Sequence, residues 1–356
     1  MPTVELAPTP LHPLLIPPET HEFGPESLTP VAILQKRKES GYKPGEDDDG
    51  HKVGLAMDPG GYAGVVSLAM AAELDKQGLL DYVDGYYGLS VGNVNAIYVA
   101  TRQFEEGFEV YADLMPGRFT TKKNGFIPQA HMEVLEDAIL RDRPFKPENL
   151  PQNVPIVIGV TRLDEFGKVK VRSDEMPIDQ FIKWALRGCH LPFVMPDPEK
   201  AEDGHYYSDS TLSWMSAIEL AQEDGCTEVI SLANVLPKET GFVGRIATGA
   251  RKKIVDMFIN KYDPHTEGKN VLLASSTDEG RYEQLIEYKE EIGNHLRGTL
   301  FVDESGAVVE RLYPTHMEGL PGLMSAERRK MVIGRTAGAL AVQKSLGGAE
   351  TEPNAA

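Results

Sequence analysis

Residues 53–100 hold two strand–turn–helix units back to back, and they constrain the fold more than any other stretch. The first begins with an apolar run from Val53 to Met57. It ends in a turn of small residues, Asp58-Pro59-Gly60-Gly61-Tyr62-Ala63-Gly64, and a helix-period segment over 63–77 follows, stopped by Gly78. The second is an apolar run from Tyr82 to Leu89 that ends at Ser90. Ser90 lies within Gly88-Leu89-Ser90-Val91-Gly92, and a helical pattern over 91–104 begins at once, continuing to Leu114. A further helix is expected over 132–140.

The alternation continues downstream. Residues 155–160 are continuously apolar, as in a strand buried on both faces. Residues 178–187 have helical period, and Gly188 can end them. Short strand-like runs cover 205–208 and 228–233, with a helix over 213–223 between them, ended by Gly225. Helices over 243–262, 277–292 and 326–345 and a strand over 299–302 complete the reading. Strands alternating with helices predict an α/β fold, a three-layer α/β/α sandwich around a mostly parallel central sheet.

Residues 1–50 read differently. Prolines at 2, 8, 10, 13, 17, 18, 25 and 30 break every periodicity. They predict a proline-rich arm holding one short helix over 31–39, its basic face exposed. The catalytic unit is expected over 51–346, with a disordered tail over 347–356.

Composition narrows the class. No run of eighteen apolar residues is present, so no membrane span is expected. The N-terminus lacks a basic segment followed by an apolar one, which makes a cytoplasmic location the expectation. Cys189 and Cys226 give neither a disulfide framework nor a metal signature. A net charge of −18 argues against a nucleic-acid partner and against long-range attraction to anionic membranes. The clusters Lys36-Arg37-Lys38, Arg251-Lys252-Lys253 and Arg328-Arg329-Lys330 read as solvated helix faces.

Gly88-x-Ser90-x-Gly92 has the spacing that lets a serine sit on a sharp turn between strand and helix. Its hydroxyl then stands at a helix N-terminus, which favours negative charge. The plainer reading makes Ser90 an N-cap. The glycine turn at 58–64 occupies the same kind of position one unit earlier. There the N–H groups of Gly60, Gly61 and Tyr62, with that of Val91, can meet a tetrahedral oxyanion. A dinucleotide or phosphate loop is the plainer reading, against which neither G-x-G-x-x-G nor G-K-[ST] is matched, and a structural turn is another.

A serine nucleophile needs a base. His265, His295 and His316 are downstream candidates without a recognisable setting. Asp209 has one: it follows the strand-like 205–208 and precedes a turn and helix. In a parallel sheet that places it on the same edge as Ser90. Its plainer reading is again an N-cap.

These blocks resemble the patatin-like phospholipase family over residues 53–235. That family has a D/E-G-G-G-x-R/K-G loop, then G-x-S-x-G, then an aspartate in D-G-G or D-G-A. Here Asp58, Gly60, Gly61 and Gly64 match the loop, and Gly88, Ser90 and Gly92 the elbow. The segment 185–193, Ala-Leu-Arg-Gly-Cys-His-Leu-Pro-Phe, is similar to the block before the family's aspartate, which falls on Asp209. Asp224-Gly225-Cys226-Thr227-Glu228-Val229-Ile230 is similar to the D-G-A-x-x-V-I ending. Pro59, without an N–H, stands where the family has a glycine, Ala63 where it has Arg or Lys, and Ser210 where a glycine follows the aspartate.

The resemblance implies a lipid acyl hydrolase with Ser90 as nucleophile, Asp209 as base and an acyl-serine intermediate. It implies no cofactor and no metal. The implied partner is a lipid or acyl-ester substrate, reached through transient contact with a membrane surface. An acyltransferase or thioesterase on the same core is one alternative. A weakened enzyme serving as a lipid-binding protein is the other, and Pro59 and Ala63 are the features in its favour.

Overall fold

The computed structural model describes residues 28–123, 127–164, 167–191, 195, 198, 200–214, 216–234, 300–302, 306–315, 318, 320–321 and 327–346. Several expectations lie outside them: most of the arm, the tail, the helices over 243–262 and 277–292, the basic cluster at 251–253, and His265, His295 and His316.

The chain enters through helix α1 (Pro30–Ser40), capped by Thr29 and closed by Gly41 at φ 72°. Strand β1 (Val53–Met57) leads through the glycine turn into α2 (Gly64–Lys76). Strand β2 (Gly85–Gly88) leads through Ser90 into α3 (Val91–Ala100). The helix expected over 91–104 ends earlier, at Ala100; Arg102 has φ 57°, and the further helical pattern to Leu114 is α4 (Phe104–Glu109) with a π-helical turn at Val110–Leu114. A hairpin of β3 (Thr120–Lys123) and β4 (Ile127–Ala130) and helix α5 (Met132–Asp137) follow.

Next come β5 (Ile156–Arg162), β6 (Gly167–Arg172), α6 (Ile178–Arg187), β7 (Tyr207–Ser208), α7 (Ala217–Glu223) and β8 (Glu228–Leu232). After the undescribed stretch come β9 (Leu300–Val302), β10 (Val308–Leu312) and α8 (Arg328–Ser345).

One mixed sheet runs β6-β5-β2-β1-β8-β10-β9, and β7 adds to β5. Strands β5, β2, β1, β8 and β10 are mutually parallel, and β6, β7 and β9 are antiparallel additions. Alternate residues of each strand enter separate cores. Ala56, Tyr87, Val157 and Val229 pack with Trp214 and helix α7 on one face. Leu55, Met57, Tyr86, Ile158 and Ile230 pack on the other face with apolar residues of α2, α3, α6 and α8. Helices on both faces of a largely parallel sheet make the three-layer α/β sandwich that the alternation predicted. Among the described residues no helix is long and apolar enough to cross a membrane.

The Lys36-Arg37-Lys38 run is not a wholly solvated face. Lys36 and Lys38 are exposed, but Arg37 is 2% exposed. All five of its N–H donors are used, on both oxygens of Asp49, on Asp84 and on the carbonyls of Tyr82 and His51. Two acidic partners make burial of a guanidinium tolerable, and charge patterning alone cannot reveal them. Glu310, on β10, ties remote segments together. Its Oε2 accepts the Val31 N–H of α1 at 3.0 Å, and its Oε1 accepts the Ser345 hydroxyl of α8 at 3.2 Å.

Candidate active site

Ser90 is the second of the two residues between β2 and α3, directly before the helix, with φ 54° and ψ −126°. That is costly for a non-glycine residue, by about 1–3 kcal/mol, and persists only where the surroundings impose it. The two glycines of the motif show how. A Cβ on Gly88 would lie 2.2 Å from the Gly92 carbonyl oxygen, and one on Gly92 would lie 2.3 Å from that of Met57. Strand, turn and helix therefore approach more closely than any other residue type allows. The Ser90 N–H donates to the Ser210 hydroxyl at 2.6 Å. The Ser90 carbonyl accepts from the amide of Asn93 at 2.8 Å and from the Cys189 thiol at 2.9 Å. Burial, and then the charge of Asp209, push that thiol well up, so it is a donor at neutral pH.

Ser90 Oγ donates to Asp209 Oδ2 at 2.6 Å, across 119 residues of sequence. Asp209 is fully buried, and its Oδ1 accepts from the backbone N–H of Thr211 at 2.9 Å and from the Thr211 hydroxyl at 2.6 Å. Its carbonyl accepts from the Thr161 hydroxyl at 2.8 Å. The local N-cap role and the approach to Ser90 coexist, one on each carboxylate oxygen. Asp209 reaches the carboxyl edge of the sheet by a different route from the expected one. Strand β7 is antiparallel and pairs only with Thr161 and Arg162 at the end of β5. Because β5 lies beside β2, Asp209, directly after β7, arrives next to Ser90, two residues past β2.

The glycine turn abuts the elbow. A Cβ on Gly64 would lie 2.8 Å from Val91 Cγ1, and one on Gly92 would lie 3.3 Å from the Asp58 carbonyl oxygen. Gly61 has φ 55° and opens a short 3-10 turn, Gly61–Ala63. The N–H groups of Gly60, Gly61, Tyr62 and Val91 meet no acceptor among the described residues. Beneath the turn, Tyr111 donates to Asn95, and Asn95 donates to the Gly64 carbonyl at 2.8 Å and to Ser67. The Tyr62 hydroxyl is turned away, donating to the Met115 carbonyl. Asp58 pairs with Arg311 of β10. Burial pushes the Asp58 carboxyl up against the downward pull of that guanidinium.

The sequence motifs thus meet at one edge of the sheet. The residues that hold them were not legible in the same way: Ser210, Thr211, Thr161 and Asn234 belong to no spacing pattern. Asn234 had one usable signal, since a polar residue just past a buried parallel strand faces the edge where such sheets carry their sites. Among the described residues no group of three or more His, Cys, Asp or Glu could hold a metal ion.

A serine hydroxyl in short contact with a buried carboxylate, beside N–H groups that meet no acceptor among the described residues, can carry out nucleophilic acyl transfer. No family model and no curated protein matches the chain. Several solved structures are similar to it, among them the following two. VipD from Legionella pneumophila is 12% identical with a TM-score of 0.42, over 83% of this chain and 67% of that one. Human GIVD cytosolic phospholipase A2, in complex with a methyl γ-linolenyl fluorophosphonate inhibitor and terbium chloride, is 13% identical with a TM-score of 0.44. That match covers 90% of this chain and 61% of the human one, so the chain spans about three fifths of its length.

Proposed function

We propose that this chain is a serine acyl hydrolase of the patatin type, acting on lipid acyl esters through a Ser90–Asp209 dyad. The observation that carries the reading is the 2.6 Å contact from Ser90 Oγ to Asp209 Oδ2, made from a strained elbow. A buried carboxylate that already accepts the hydroxyl proton's hydrogen bond is placed to remove that proton without a histidine. Lipid as the substrate class rests on the resemblance of the sequence motifs to the patatin-like phospholipase family.

Ser90 Oγ attacks the ester carbonyl carbon as its proton passes to Asp209 Oδ2. The carbonyl oxygen becomes an oxyanion, met by N–H groups of Gly60, Gly61, Tyr62 and Val91. Collapse breaks the bond to the leaving alkoxide, which takes the proton from Asp209 and departs as an alcohol. Water then attacks the acyl-serine, gives its proton to Asp209, and releases the fatty acid; the proton returns to Ser90. Residues 51–346 form the proposed catalytic unit, with 1–50 as an arm and 347–356 as a tail. Two free, buried cysteines fit a reducing, cytoplasmic setting with peripheral contact to membranes.

Labelling with a fluorophosphonate probe, with detergent micelles present, tests this. Wild type labels; Ser90→Ala and Asp209→Ala do not, while circular dichroism shows both folded. A folded wild type that takes no label sinks the hydrolase reading. Labelling retained in Asp209→Ala sinks the dyad.

A further inference from the structure

Asn234 lies two residues beyond β8 and is 2% exposed. Its Nδ2 donates to the Asp58 carbonyl at 2.7 Å and to the Pro59 carbonyl at 3.2 Å. Its Oδ1 accepts the Ser67 N–H, at the start of α2, at 3.0 Å. The three contacts also fix the amide's orientation, since carbonyls only accept and a backbone N–H only donates. One buried side chain therefore spans from the glycine turn to the helix that follows it.

The consequence lies in the Pro59–Gly60 peptide. Among the described residues no peptide bond is cis, and in a planar trans peptide the C=O and N–H point in opposite directions. Asn234 draws the Pro59 carbonyl toward the end of β8, so the Gly60 N–H is turned the other way. In the sheet β1 lies between β8 and β2, and Ser90 follows β2. The side away from Asn234 is the side of Ser90. Gly60 packs directly on the amide: a Cβ there would lie 3.2 Å from Asn234 Nδ2 and 3.3 Å from Asn234 Cβ. Pro59 has no N–H, so the first donor this turn can offer is that of Gly60.

We infer that Asn234 is a positioning residue whose carboxamide sets the Pro59–Gly60 peptide so that the Gly60 N–H faces the oxyanion formed at Ser90. This rests on the hydrolase reading above. It also gives Pro59 a use in this turn, as a carbonyl acceptor.

The test is steady-state hydrolysis of p-nitrophenyl butyrate by the full chain, with inhibition by butylboronic acid measured alongside. The variants are Asn234→Asp, Asn234→Ala and, as reference, Ser90→Ala. Asn234→Asp keeps an acceptor for the Ser67 N–H and loses both donations to the turn. The expected result is a fall in kcat of ~10²-fold, the scale of losing one oxyanion donor. KM stays within about twofold, because the ground-state carbonyl gains little from the hole. Boronate affinity falls by the same factor as kcat, since the tetrahedral boronate uses the same donor, and a merely structural role would not link the two. Asn234→Ala repeats the result if the aspartate does not fold, with thermal melting as the check. A folded variant with kcat within threefold of wild type overturns the inference, and so does a lost kcat with boronate affinity unchanged. In those cases wild type is active and Ser90→Ala is not, so the hydrolase reading survives. A wild type that neither hydrolyses the ester nor binds the boronate removes both.

Discussion

The hydroxyl oxygen of Ser210 stands 2.6 Å from the backbone nitrogen of Ser90 and accepts its hydrogen bond. The elbow is thus held to the aspartate turn twice, by side chain to Asp209 and by main chain to Ser210. It follows that the N–H of Ser90 itself is occupied, leaving that of Val91 as the elbow's donor.

Replacing Ser210 by alanine leaves a buried N–H without a partner. The expected cost is about 1–3 kcal/mol of stability. Esterase kcat falls by about tenfold as the elbow loosens, since small misplacements of reacting groups are expensive. Chemical denaturation and ester hydrolysis read the two effects. Unchanged stability and kcat would mean that the elbow holds itself.

Gly92→Ala meets the Met57 carbonyl oxygen, which is backbone and cannot move aside without distorting β1. Overpacking ordinarily costs about 1–3 kcal/mol, and a clash with backbone belongs at or beyond the top of that range. Thermal unfolding shows the loss directly. A variant as stable as wild type would contradict the close approach of elbow and strand.

Arg37→Ala removes the partner of two carboxylates, Asp84 at 12% exposure and Asp49 at 31%. Breaking a buried pair costs about 3–5 kcal/mol, and the partial exposure of Asp49 puts the expected loss near the lower end. Arg37→Lys does not rescue it, because three donors cannot replace five. Urea titrations of the three proteins make the comparison.

The pH dependence of stability should carry the signature of Asp224. Burial pushes its carboxyl up, but Arg172 and Lys52 pull harder, and the net shift is below the ordinary 3.8. A depressed carboxylate contributes stability above its unfolded value and loses it as pH falls through the folded one. Asp224→Asn is therefore expected to be less stable than wild type at pH 7, with the gap closing below about pH 4. Denaturation at pH 7 and pH 3 checks this; a gap that widens in acid would reverse the assignment.

The fold was legible where burial on both faces left a continuous apolar signal. Residues 155–160 announce β5 in that way, and the small-residue turns announce the two units around β1 and β2. Strand β6, Gly167–Arg172, did not stand out, because its lysines and arginine sit among valines on an edge with one wet face. The break at Arg102 was invisible because it depends on a left-handed backbone at a residue type that rarely adopts it. In the site, Ser90 and Asp209 were readable as motif positions. Ser210 and Asn234 were not, because their contacts join segments 120 and more than 160 residues apart, and no local spacing records that.

The carboxylate of Glu310 receives residue 31 on one oxygen and residue 345 on the other. The first and last described helices are thus moored within the span of one carboxylate and two hydrogen bonds. A short linker could join them without crossing the sheet, and fresh ends could be opened at an exposed turn, the situation in which circular permutation is tolerated. The start of the first described helix and the end of the last thus lie side by side, far from Ser90 in sequence.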